Sequence, residues 1–228
     1  MKSFKKIVFI VICLFITVAW SSPKPKVFLI GDSISIHYGT YLKQYSDNFA
    51  VFERKTGDNG QPSNGGDSRM VLEYLRAKLK EPAFKPDYIL LNCGLHDIKH
   101  NPGADDIQVT EDNYRKNLIE IVQMLQKEKI KLVWIRTTWV VDSIHNTRVQ
   151  SGGVKRYESD VLKYNAIADE ICHKYKIPSI DLHDFSKKAG AEHFSDHVHY
   201  DEIAQSLQAA YIAGFLQNEI NKIICEQK

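Results

Sequence analysis

Runs of apolar residues alternate along this chain with stretches whose apolar positions recur every three or four residues. Tyr88-Ile89-Leu90-Leu91 and Leu132-Val133-Trp134-Ile135 are apolar throughout, which suits central parallel strands covered on both faces. Strands are predicted over 26–30, 50–54, 87–93, 131–136 and 178–182. Helices are predicted between them. Ile34 to Tyr45 has helical spacing, as do Tyr114, Leu118, Ile121, Val122 and Leu125, and Tyr164, Ile167, Ala168, Ile171 and Tyr175. The last helix is given an apolar stripe of Ile203, Leu207, Ala210, Tyr211 and Phe215. Strand–helix alternation predicts a three-layer α/β/α sandwich around a five-stranded, mostly parallel sheet with right-handed crossovers.

The amino-terminal pattern differs. Lys2, Lys5 and Lys6 precede an apolar run from Ile7 to Trp20, followed by Ser21 and Ser22. This has the shape of a secretory signal peptide over residues 1–22. The run is short for a membrane-spanning anchor, the alternative reading. The remaining residues, 23–228, form one domain, with no internal repeat or linker. A secreted or periplasmic location follows, with no stable membrane association after cleavage. Loss of the three lysines changes the formal net charge from +2 to 27 basic against 28 acidic residues. That balance gives no reason to expect a nucleic-acid partner. Cys93, Cys172 and Cys225 are an odd number and set no disulfide framework. Cys93 reads as a buried thiol, and an oxidising compartment permits a pair between Cys172 and Cys225.

Ligands of a parallel sheet bind beyond the carboxyl ends of its strands. Gly31, Asp32 and Ser33 follow the first predicted strand. The polar loop 55–67 follows the second, and Gly94, Leu95, His96 and Asp97 follow the third. Thr137, Thr138 and Trp139 follow the fourth, and Asp196 and His199 lie beyond the fifth. Ser33 alone reads as a helix cap. With Asp196-x-x-His199 it becomes a candidate nucleophile: an imidazole takes the serine proton and a carboxylate orients the imidazole. Ser33 N–H, a glycine N–H of the second loop and a side chain of the third are candidate oxyanion donors.

Gly31-Asp32-Ser33, Gly66-Asp67-Ser68, Gly94-Leu95-His96-Asp97 and Asp196-x-x-His199 stand in the order of the four blocks of the SGNH, or GDSL, hydrolases, which this chain resembles from Gly31 to His199. The resemblance implies a flavodoxin-like fold and a serine esterase that needs no cofactor or metal. It implies Ser33, His199 and Asp196 as the triad, and Ser33, Gly66 and His96 as the oxyanion hole. His96 stands where the family usually has an asparagine that donates to the oxyanion. An imidazole N–H offers the same donor; a structural histidine, or a site with altered or lost activity, is the alternative. Ser68 follows a polar loop and reads as a helix start, leaving Ser33 as the nucleophile. Asp32, Gly94 and Asp97 are read as supporting the loops. Trp139, Tyr38 and Tyr200 are candidates for a binding face or for packing, and His197 is placed near the site.

His193, His197 and His199, approached by His96 and His100, also resemble zinc ligands, a reading under which the serine blocks would be coincidences. Loops 101–108 and 140–156 are candidate substrate rims. The expected substrate is a short acyl ester, an acetyl ester of a sugar or glycan being favoured. The alternatives are transfer of the acyl group to a sugar hydroxyl by the same triad, and a glycan-binding protein that has lost turnover.

Overall fold

The computed structural model describes residues 23–103, 106–148 and 153–226. The predicted signal segment lies outside these residues, as does the Cys225 side chain. The elements are β1 (Lys26–Ile30), α1 (Ser33–Ser46), β2 (Val51–Arg54), α2 (Ser68–Lys78), β3 (Tyr88–Leu91), α3 (Glu111–Lys127), β4 (Lys131–Ile135), α4 (Asp142–Arg148), α5 (Glu158–Tyr175), β5 (Ser179–Ile180), α6 (Leu182–Ala189) and α7 (Glu202–Glu226). All five strands pair in parallel, in the order β2-β1-β3-β4-β5. β3 is buried along its whole length. In β1 and β4 only the first residue, a lysine, is exposed. β2 lies at the sheet edge and exposes Val51 and Glu53, where one side of the strand has no neighbour to cover it. Helices α1, α6 and α7 pack together, and α2, α3 and α5 form a second group.

The chain leaves β1 to build β2 on one side and β3 on the other. A crevice opens at such a reversal, beyond the carboxyl ends of the two strands. Ser33 follows β1 and His96 follows β3, so both lie at this crevice. Side chains at helix starts stabilise the adjoining turns. Asp32, Asp67, Thr110 and Asp181 each accept a backbone N–H at the start of α1, α2, α3 and α6.

The predicted stripe of α7 is covered only in its second half, where Tyr211 and Phe215 pack half-buried against the core. Ile203 and Leu207 are among the most exposed large apolar side chains, and Ala210 is also exposed. The buried face is Ala204, Gln208, Ala209, Ile212, Ala213, Leu216 and Ile220. Residues 209–216 are apolar around the whole helix, so spacing alone does not select a face. Close packing against α1 selects it. Among the described residues no helix is long and apolar enough to cross a membrane.

Candidate active site

Ser33 is the first residue of α1. The Asp32 carboxylate ahead of it accepts the N–H groups of Ile34 and Ser35 at 3.0 and 3.4 Å. These bonds fix the turn and hold Ser33 at the carboxyl edge of β1. Burial raises the Asp32 pKa; the two N–H groups and the nearby Arg156 charge oppose that rise. Ser33 N–H donates to no protein group among the described residues.

The partner arrives from the far end of the chain. His199 Nε2 lies 2.7 Å from Ser33 Oγ, and His199 Nδ1 lies 2.6 Å from Asp196 Oδ2. Asp196 Oδ1 accepts Val198 N–H and His199 N–H, each at 2.7 Å. Four residues thus close into a turn that places carboxylate beside imidazole. Burial pushes the Asp196 pKa up. The backbone N–H groups and the His199 ring outweigh it and hold the carboxyl well below its usual range. An ionised Asp196 keeps the His199 proton on Nδ1, leaving Nε2 free to accept the Ser33 hydroxyl proton.

The second loop docks onto this turn through Gly65 N–H, which donates to Gly31 C=O at 2.7 Å. Gly66 has φ +76°, and a Cβ there would meet the Met70 sulfur at 2.3 Å. Its N–H donates to Asn64 Oδ1 at 2.7 Å. The Asn64 carboxamide nitrogen lies 3.3 Å from His96 Nε2. Burial, then Lys99 and Arg156, lowers the His96 pKa to about 4, so the ring is neutral at neutral pH. Asp97 is fully buried and accepts Ser68 N–H at 2.9 Å, joining the third loop to the start of α2. Gly94, at φ +147°, allows the third loop to pass Thr137.

Ser68 is held differently from Ser33. It is fully buried, and its Oγ accepts Asn117 Nδ2–H at 2.9 Å. Asp67 caps α2, pairs with Arg69 at 2.6 Å and accepts a bond from Gln108 at 2.9 Å. Gln108 thereby ties the 101–108 loop to the second block; residues 104–105 of that loop lie outside the described part.

Other candidates are distributed less evenly. Tyr38 and Tyr200 are each 1% exposed and pack beneath the site, so they line no open face. Trp139 is half-buried against Phe194, with ring centroids 5.7 Å apart. The His197 ring lies 6.5 Å from that of His199. His193 pairs with Asp201 and His100 with Asp160. Among the described residues no group of three or more His, Cys, Asp or Glu side chains is placed to hold a metal ion. Cys93 and Cys172 are buried free thiols.

Four neighbours of the site went unread in the sequence: His37, Asn64, His145 and Arg156. The His37 ring lies 4.9 Å from that of His199. His145 is fully buried and donates from Nδ1 to His197 C=O at 3.0 Å. Arg156, 6% exposed, donates from Nε to Leu95 C=O at 2.6 Å, and its Nη1 lies 3.3 Å from His145 Nε2. Asn64 had a visible signal, since it directly precedes Gly65-Gly66. A buried arginine in a polar segment has none.

No curated protein matches the chain. Solved structures do match its fold. A lipase/acylhydrolase from Enterococcus faecalis is 19% identical with a TM-score of 0.64, over 86% of this chain and 96% of that one. The carboxy-terminal catalytic domain of peptidoglycan O-acetyltransferase A from Streptococcus pneumoniae is 20% identical with a TM-score of 0.59, over 87% and 96%. An acetyl xylan esterase from Geobacillus stearothermophilus is 15% identical with a TM-score of 0.60, over 84% and 94%. The family model for GDSL-like lipase/acylhydrolases matches residues 29–205, from the β1 strand that leads to Ser33 to the helix that follows His199. The chain therefore belongs to the GDSL-like lipase/acylhydrolase family, the SGNH hydrolases.

Proposed function

We propose that this protein is an exported serine esterase that removes a short acyl group, acetyl being favoured, from a carbohydrate. One observation carries the reading: the unbroken sequence of contacts from Asp196 through His199 to Ser33 Oγ, at 2.6 and 2.7 Å. In the reaction Ser33 Oγ attacks the ester carbonyl carbon while His199 Nε2 takes the hydroxyl proton. The tetrahedral intermediate collapses, and His199 returns the proton to the departing alcohol oxygen. Water then attacks the acyl-serine, gives its proton to His199, and the acid leaves as Ser33 regains its hydrogen. Ser33 N–H faces the forming oxyanion from the start of α1, where the helix dipole favours negative charge.

The surroundings support a polar alcohol. His37, His96 and His197 approach His199, and each carries a donor or acceptor that suits sugar hydroxyls. The solved acetyl xylan esterase and peptidoglycan O-acetyltransferase show this fold in proteins named for acetyl chemistry on glycans. Export rests on the amino-terminal pattern of Lys2, Lys5, Lys6 and Ile7 to Trp20.

The test is a fluorophosphonate label with peptide mapping, alongside hydrolysis of p-nitrophenyl acetate. The label is expected on Ser33, and Ser33→Ala is expected to abolish turnover with unchanged circular dichroism. A label on Ser68, or full activity in Ser33→Ala, overturns the reading.

A further inference from the structure

The side-chain donor of the oxyanion hole needs reassignment. The family supplies an asparagine amide from the third loop, and this chain has His96 there. An asparagine amide nevertheless lies against His96, brought by the second loop.

Hydrogen-bond direction fixes how it is set. Gly66 N–H points at one end of the Asn64 carboxamide at 2.7 Å. A backbone N–H has only a proton to offer, so that end is Oδ1. The other end is therefore the NH₂ group, and it faces His96 Nε2 at 3.3 Å. An amide nitrogen donates and does not accept. His96 Nε2 is then the acceptor, and the imidazole carries its single proton on Nδ1. The ring nitrogen that meets this loop has no hydrogen to give an oxyanion.

Three further contacts locate the amide. Gly65 N–H bonds Gly31 C=O, so the residue after Asn64 is pinned to the turn that bears Ser33. Lys55 Nζ donates to Asn64 C=O at 3.0 Å and to Ser63 Oγ at 2.8 Å, which holds the Asn64 backbone from the other side. Gly66 N–H, the donor expected from the second block, is engaged by Asn64 itself. A carboxamide whose oxygen accepts a hydrogen bond is a stronger donor at its nitrogen. One Nδ2 hydrogen is taken by His96, and the second has no acceptor among the described residues.

We propose that Asn64 Nδ2–H, held by Gly66 N–H and His96 Nε2, is the side-chain donor to the oxyanion beside Ser33 N–H. Asn64 is thus a catalytic residue, and His96 and Gly66 are positioning residues. The proposal rests on the esterase reading and specifies that site's donor set.

The experiment compares kcat and KM for p-nitrophenyl acetate in wild type, Asn64→Ala, Asn64→Asp, His96→Ala and His96→Gln, with a thermal melt of each. Asn64→Ala is expected to lower kcat by about 10²- to 10³-fold, the usual effect of losing one oxyanion donor, with KM little changed. Asn64→Asp has the same size and still accepts Gly66 N–H, so it guards against a folding defect. It is expected to lose as much, because it sets a carboxylate against the oxyanion. His96→Ala is expected to lose less than Asn64→Ala, and His96→Gln, whose Oε1 accepts from Asn64, recovers part of that loss.

If Asn64 only blocks Gly66 N–H, its removal frees that donor. Activity equal to or above wild type in Asn64→Ala overturns the proposal. A larger loss in His96→Ala than in either Asn64 variant returns the role to His96 and also overturns it. Both results leave Ser33-dependent turnover intact, and so differ from failure of the esterase reading, in which wild type shows neither turnover nor a label on Ser33.

Discussion

Asp32 and Asp67 sit in identical Gly-Asp-Ser triplets and do the same work, each capping the helix that its serine begins. The serines diverge because their surroundings do. Ser33 meets an imidazole from 166 residues away, whereas Ser68 is buried and bonded to Asn117. Sequence separated the two through what precedes them, an apolar strand in one case and a polar loop in the other. Asp196 and His199 were legible too, because a three-residue spacing lets one turn join them. Arg156 was not, since its contacts with Leu95 and His145 cross between loops. Among the described residues this buried guanidinium has no carboxylate at ion-pair distance; its field reaches Asp32. Burial lowers its pKa to about 10, so it stays charged at neutral pH. Arg156→Met leaves Leu95 C=O without its donor and Asp32 without its nearby cation. Urea denaturation is expected to show a loss of about 1–3 kcal/mol. Arg156→Lys, which lacks the planar fork, is expected to restore only part of it.

At the level of elements, the start of α2 and the loop after β3 form one unit through Asp97 and Ser68. Burial raises the Asp97 pKa to about 7, against the Ser68 bonds that lower it. Between about pH 4, the usual carboxylate value, and pH 7, the folded chain keeps a proton at Asp97 that the unfolded chain has released. Stability from this group therefore falls as pH rises through that window. Asp97→Asn retains an acceptor for Ser68 N–H and does not titrate. The melting temperature of Asp97→Asn, measured from pH 4 to 8, is expected to gain on wild type as pH rises; a constant difference would contradict this. The strand ends themselves were legible to within two residues, and β3 and β4 most plainly because they are continuous apolar runs. α7 was legible as a helix but only partly in its orientation, since Tyr211 and Phe215 are half-buried against the core while Ile203 and Leu207 are exposed. Its apolar residues surround it, and only packing against α1 chooses which of them are covered.

For the whole molecule, strand order matters most. Reversal between β1 and β3 creates the crevice, and α1, which begins at Ser33, packs side by side with α7, which follows the turn bearing His199. Alternation of elements made the layers readable in the sequence. A groove of about 580 Å³ was not readable: it lies at the amino-terminal ends of β3 and β4, among Tyr88, Lys131, Tyr175 and Ile177, away from Ser33. The contact between Ser33 and His199 spans 166 residues, nearly the whole fold. Pairings of such sequence separation come late, because the intervening chain must be ordered first. On dilution from urea, p-nitrophenyl acetate turnover is expected to recover after the far-ultraviolet helix signal, in a stopped-flow comparison of the two. A ribosome releases Ser33 long before His199. Until the carboxy-terminal segment docks, Ser33 lacks its imidazole partner, and under the proposed mechanism the growing polypeptide is inert toward the esters around it throughout its own synthesis.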